Sequence, residues 1–419
     1  MSILLTFSFF LLGLLALPIA HALLAASALS VGIFNPKVIN VIVEQMVSQS
    51  QSFPLIAIPF FMLTGSLMMG GKLGQSLISL VTLFVGRFHG GPAQVGVLSS
   101  TVFGGVSGSA VADASAIGSL LIPWQKKIGY PPAFSAATLA SAATIDILIP
   151  PSIPFILYAL ASGASIGALF YAGILPGLLL CFGFMAVCYL VGRSRDFPRV
   201  TEVMSRREFW RLFAYSAPAL VMPVLIVVLL RFGIATPTEV SILTTLYALL
   251  ASALIYRDIT VSRLMHSVME AAVSTGVVLL IIMTSSVVGW IITFDQMPAV
   301  FTKFANEVLQ EKWLIILAMN LLMLVVGMFM DLPAAVLLLA PIFVPLAQSV
   351  GMDTVQLGVM MVVNLAIGLY TPPVGTTLFI TSSVAGVKIG ATVKELIPFY
   401  GVALLILGLV SYVPAFILR

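Results

Sequence analysis

The sequence predicts an all-α polytopic membrane protein, with inverted-topology repeats that each hold a re-entrant helical hairpin and a discontinuous helix. Three observations lead there. Hydrophobic residues make up 60% of the chain and charged residues 8%, with a mean hydropathy of +1.17, whereas a soluble domain carries about 25% charge. Six Gly and Pro positions recur at a spacing of 222 residues: Gly105/Gly327, Pro123/Pro345, Gly129/Gly351, Pro150/Pro372, Pro151/Pro373 and Pro176/Pro398. Basic residues cluster between apolar segments so that the two copies are read with opposite sense across a bilayer. Two matched, broken hydrophobic segments are the sequence signature of a secondary transporter and its binding site.

Composition also excludes. Apolar stretches of roughly 18 or more residues recur from end to end, and the longest polar stretch, near 193–211, is too short for a soluble domain. Cys181 and Cys188 share one apolar segment and indicate neither a disulfide framework nor a metal pair. His21, His89 and His266 lack ligand spacing, and no Walker motif, nucleophile elbow or H-E-x-x-H is present. An enzyme, an ATP-driven pump and a nucleic-acid binder are all disfavoured; the net charge of +4 reads as an orientation signal.

The N-terminal MSILLTFSFFLLGLL has no basic leader or small-residue cleavage site and reads as a retained helix. The segment GRSRDFPRVTEVMSRREFWR sets six arginines against three acids, which makes it cytoplasmic. Counting outward, a helix near 167–192 arrives from outside and the broken segment 132–163 leaves the cytoplasm beside Lys126 and Lys127. Segment 91–126 has both ends inside and is therefore a hairpin. After the loop come helices near 212–232, 236–256 and 270–294, the last carrying the chain out. Segment 313–348 is the partner hairpin from outside, followed by broken segment 355–386 and a helix near 390–416. Segments 73–87 and 296–309, short and mixed in polarity, lie along the interface. On this map the N-terminus is cytoplasmic and the C-terminus periplasmic. Residues 1–197 form repeat 1, 198–222 the connection, and 223–419 repeat 2.

The chemistry is expected at the breaks. In hydrocarbon an unpaired backbone group costs several kcal/mol, so ILIPPSIPF (147–155) and GLYTPPVGTT (368–377) must be satisfied by protein, water or an ion. Paired prolines at 150–151 and 372–373 remove amide donors and free carbonyls of the preceding turn. Freed carbonyls suit a hard cation, and the half-helix after each break points amides at an anion. A plain Pro kink is the competing reading for each break. The hairpin tips GGVSGSAVADASAIG (104–118) and GMFMDLPAA (327–335) would supply the other walls. Ser107, Ser109 and Ser115 serve there as oxygen ligands or amide caps, or else as small packing residues, with Asp331 as a helix cap. Asp113, Asp146 and Asp331 lie in nearly charge-free segments, where a carboxylate costs at least about 2.5–3.5 kcal/mol. For Asp146, a cation or proton site and a hydrogen bond to the hairpin are equally open.

At these residues the chain resembles the large membrane subunit of TRAP (tripartite ATP-independent periplasmic) transporters. The matching motifs are AIPFFMLTGSLM (57–68), SGSAVADASAIG (107–118), IPPSIPFI (149–156), TPTE with LYALLASALIYRD (236–258), GMFMDLPAA and GLYTPPVGT. They run in order through nearly the whole chain. The resemblance implies the ion transporter superfamily fold and an elevator mechanism, in which hairpins and broken helices move against a scaffold. It implies two sodium sites, Gly105, Ser107, Gly108, Asp146, Ile149 and Ser152 in repeat 1, and Gly327, Gly368, Thr371 and Val374 in repeat 2. Asp146 and Ile149 break the symmetry between them. Substrate would lie near Ser107, Ser109, Asp331, Thr376 and Thr377. Implied partners are a small four-helix membrane subunit and a periplasmic binding protein that delivers an organic anion, neither fused to this chain. No cofactor is implied beyond sodium as coupling ion, and the location implied is the bacterial inner membrane. With no Arg near the predicted tips, amides, hydroxyls and sodium would hold the anion. The competing functions are a stand-alone sodium/carboxylate symporter of the related superfamily, and a non-transporting scaffold or channel.

Overall fold

The computed structural model describes residues 1–15, 17–69, 71–200 and 205–417, and every regular element among them is a helix. In chain order, α1 (Ser2–Leu14) and α2 (Ile19–Phe34) form an antiparallel pair, followed by α3 (Asn40–Ser50) and α4 (Ala57–Met69). The last two, with the short turns that precede them, are bent by 61° where they meet. Then come α5 (Lys72–Val85), the hairpin α6 (Gly91–Ser107) and α7 (Ala110–Lys127), and the broken pair α8 (Pro132–Asp146) and α9 (Ile153–Ser162). The long α10 (Ile166–Ser194) leads to the central basic segment. Next come α11 (Arg206–Arg231), α12 (Pro237–Leu250, ending in a π turn at Ala251–Ile255), α13 (Val261–Phe294) and α14 (Met297–Val308). The second hairpin is α15 (Lys312–Phe329) and α16 (Leu332–Ser349), the second broken pair α17 (Thr354–Gly368) and α18 (Thr376–Ala385), and α19 (Ile389–Tyr412) is last. Seven helices among the described residues are long and apolar enough to cross a membrane.

Local chemistry explains where helices begin and end. Ser205 with Glu208, and Thr236 with Glu239, form reciprocal capping boxes at the starts of α11 and α12, the second with Pro237 in the first turn. Ser109, Ser152 and Ser165 cap α7, α9 and α10 by accepting from backbone amides. Gly108, at φ 61°, lets the chain reverse at the first tip where a Cβ would be strained. Helix α5 buries Leu73, Leu77, Leu80 and Val81 on one face, the pattern of a helix lying at an interface.

The two repeats interlock. Each first hairpin arm lies against its own repeat's first half-helix: α6 on α8 and α15 on α17. Each second arm lies against the other repeat's second half-helix: α7 on α18 and α16 on α9. Around this unit α4, α12 and α13 form one framework, α2 and α3 cover α13, and α5 braces α11. The framework reaches the hairpins through α4 on α6 and α13 on α16.

Ionic and polar contacts sort the helix ends onto two faces. On one, Arg195 binds Glu395 at 2.8 Å, and Arg263 binds Asp258 at 2.6 Å. On the other, Tyr158 donates to the Thr354 carbonyl, Tyr412 to that of Trp313, and the Met1 ammonium meets Asp295 at 2.9 Å. This last contact corrects the sequence map. With helix 270–294 carrying the chain outward, a cytoplasmic N-terminus would lie opposite Asp295, yet the Ser2 amide and hydroxyl also donate to that carboxylate. Met1 and Tyr412 therefore lie on the face opposite Arg195 and Arg263. The short α1 and α2 run in and back out as a pair, a return that hydropathy alone does not reveal.

Candidate functional site

Asp146 ends α8, fully buried, and the first hairpin wraps it. A Cβ on Gly104 would stand 2.8 Å from the Asp146 Cα, so only glycine permits this approach. The Ser107 side chain and the amides of Gly108 and Ser109 neighbour its carboxylate, though no hydrogen bond of good geometry reaches either oxygen. Gly105 instead turns its Cα toward Pro223 of α11. Gly108 abuts the Pro151 carbonyl, where a Cβ would come within 2.5 Å. Ser152 caps α9 and donates back to the Ile147 carbonyl. Ile149 points its side chain toward Gly177 of α10. In repeat 1, Gly104 thus stands where the 222-residue register placed Gly105.

Repeat 2 brings its backbones closer still. A Cβ on Gly368 would fall 2.3 Å from the Gly327 carbonyl oxygen. Thr371 donates to the Ile367 carbonyl at 2.6 Å, and the Val374 amide donates to that of Met328 at 3.3 Å, tying the broken segment to the tip. One turn before Gly368, Asn364 donates to the carbonyl and side-chain oxygen of Asn320, and Asn320 donates to Ser411 of α19. This buried network sets the level of α17 against α15. The Thr376 hydroxyl is buried with no partner. Both clusters offer oxygen donors only, with orphaned oxygens at Asp146 and Thr376, a set suited to a hard cation rather than a soft one.

Between the tips and the framework lies a cavity of about 710 Å³. Ser107, Ser109 and Ser115 line it from the first hairpin and Asp331 and Pro333 from the second. Asp331 occupies the N-cap position of α16 but makes no side-chain cap bond. Thr376 and Thr377 do not line the cavity. Thr377 donates to the Ala140 and Leu369 carbonyls, locking α18 onto α8. The opposite wall, absent from the sequence reading, comes from Gly65 and Ser66 of α4 and Arg263, His266 and Glu270 of α13. An arginine therefore does face the cavity, but its guanidinium is committed to the Asp258 carboxylate and carbonyl and to the Leu67 carbonyl. The signal for this wall was the helical spacing of Arg263, His266, Ser267, Glu270 and Ser274 in an otherwise apolar helix. Paired breaks, two tips and one shared cavity are the plan of a secondary transporter.

Comparison with known proteins agrees. Residues 6–416 match the family described as tripartite ATP-independent periplasmic transporter, DctM component. The chain belongs to the TRAP transporter large permease family. The "Uncharacterized protein y4mL" of Sinorhizobium fredii is 51% identical over 416 residues, 99% of both chains. The C4-dicarboxylate TRAP transporter large permease protein DctM of Pseudomonas aeruginosa is 36% identical over 390 residues, 93% of this chain and 91% of that one. The YdaH transporter of Alcanivorax borkumensis, described as having an unusual topology, shares the fold at a TM-score of 0.63 with 15% identity, covering 91% of this chain and 89% of that chain. This TRAP permease is thus an integral membrane transport protein of a family that works with a small membrane subunit and a periplasmic binding protein.

Proposed function

We propose that this chain is the large subunit of a sodium-coupled importer of small organic anions, carboxylates or sugar acids, delivered by a periplasmic binding protein. The observation that carries the reading is the meeting of both helix breaks with both hairpin tips beside one cavity. The C4-dicarboxylate transported by the Pseudomonas relative supports an acid as cargo. One sodium ion is held by Gly327, Gly368, Thr371 and Val374. The other is held by the Asp146 carboxylate with Ser107, Gly108 and Ser152, Gly105 and Ile149 contributing backbone only. Sodium there neutralises a carboxylate that has no hydrogen-bond partner and would otherwise cost several kcal/mol. The anion sits across Ser107, Ser109 and Asp331, drawn by the amides that begin α7 and by bound sodium.

The α6–α9 and α15–α18 unit moves as an elevator against α4, α11, α12 and α13. Arg263 and Gln75, near the basic face, line the cavity, which supports an inward-facing state. That face is cytoplasmic in the bacterial inner membrane, which leaves Met1 and Tyr412 on the periplasmic side. The test is uptake of radiolabelled acids into proteoliposomes holding this chain, its small subunit and the binding protein. Uptake should require an inward sodium gradient and the binding protein. Sodium-independent leak would overturn the reading, and full uptake without the binding protein would favour a stand-alone symporter.

A further inference from the structure

A second cavity, of about 1480 Å³, opens on the basic face away from the hairpin tips. It lies between the interfacial helix α5, the start of α11 and the outer side of α7. Ile78, Leu121, Trp124, Phe209 and Leu212 supply apolar walls, and the exposed Phe84 joins them. The rim carries Arg87, Arg199 and Arg206. Among the described residues the one acid lining the cavity is Glu208, engaged with the Ser205 amide and hydroxyl in the capping box. Arg199 is paired with Asp196 at 4.0 Å and touches His89, while no ion pair among the described residues engages Arg87 or Arg206. The volume exceeds the range of roughly 300–1,000 Å³ for small-molecule pockets. An apolar trough with a basic rim, at the level where α5 lies along the membrane surface, matches an amphiphile with an anionic head. Basic pockets between helices on the cytoplasmic side recognise anionic phospholipid headgroups.

We propose that this cavity binds an anionic phospholipid, its acyl chains against Trp124, Phe209 and Leu212 and its phosphate at Arg87 and Arg206. One wall, α7, belongs to the first hairpin, while α5 and α11 brace one another, so the lipid would sit at a joint between the two. The choice of occupant rests on charge complementarity and on the apolar walls beside the arginines, and it stands whether or not sodium drives transport.

The experiment is lipid retention by the purified permease complex from vesicles of phosphatidylcholine mixed with phosphatidylglycerol, read by native mass spectrometry. The wild type should retain phosphatidylglycerol in preference to phosphatidylcholine. Arg87→Gln with Arg206→Gln should weaken that preference by about 30-fold, at roughly 1 kcal/mol for each arginine near the surface. Ser79→Trp, which fills the trough and spares the arginines, should reduce retention of the lipid too. Equal retention of the two lipids by the wild type would overturn the proposal. So would a preference unchanged in both variants, or displacement of phosphatidylglycerol by inorganic phosphate alone, which would mark a free-anion site.

Discussion

Replacing Gly368 with alanine probes the closest contact in the proposed sodium site. A methyl there would lie 2.3 Å from the Gly327 carbonyl oxygen, 2.4 Å from its carbon and 2.7 Å from its Cα. All three are backbone atoms, so no side chain can rotate away. Restoring an ordinary contact of about 3.4 Å requires α15 and α17 to separate by roughly 1 Å. Overpacking of this kind costs about 1–3 kcal/mol, against a gain of up to about 1 kcal/mol for removing a helical glycine. The net loss leaves a folded protein, but the separation pulls the Gly327 carbonyl from the Thr371 and Val374 set. Disturbing the support of an ion site typically weakens affinity about 10–100-fold. Sodium-dependent thermal stabilisation of the purified permease, and the sodium concentration for half-maximal uptake, both read this change. Gly276→Ala in α13, with no atom within 4 Å of the added methyl, is the control and should behave as wild type. A Gly368→Ala protein with an unaltered sodium response would refute the reasoning.

Other outcomes follow from the same geometry. Thr371→Val and Ser107→Ala should each raise the sodium requirement for uptake, and wild-type sodium dependence in both would remove these residues from the ion sites. Arg263→Ala leaves the Asp258 carboxylate, 9% exposed, without its cation and should cost about 3–5 kcal/mol, read as a lower melting temperature; an unchanged one would show the clamp to be idle. Cysteines at the exposed Ile3 and Tyr412 should react with an impermeant thiol reagent from the same side of sealed vesicles, and one at Arg195 from the other. Labelling of Ile3 with Arg195 would restore the opposite sidedness.

Much of this architecture could be read before any coordinates. Paired prolines stop a helix wherever they occur, because neither ring can donate a hydrogen bond and both clash with the preceding turn. Hence Pro150–Pro151 and Pro372–Pro373 mark breaks in the structure between α8 and α9 and between α17 and α18. The 222-residue register and the arginines around 193–211 likewise announced two halves of opposite sense, and the amphipathic segments before each hairpin announced α5 and α14.

Sequence by itself determined what is local: which segments are apolar enough for a membrane, where helices start and stop, and which tips are small enough for close approach. Tertiary structure decided what depends on contacts between residues far apart in the chain. It placed α7 against α18 and α9 against α16, so each hairpin is closed by the opposite repeat. It put Gly104 rather than Gly105 against Asp146, turned Thr377 toward Ala140, brought α13 to the cavity and returned Met1 to Asp295. The physical reason is that hydrophobic periodicity tells a helix to bury a face but not against which partner. In a chain apolar on nearly every face, that choice falls to the fit of small residues and a few buried polar bonds.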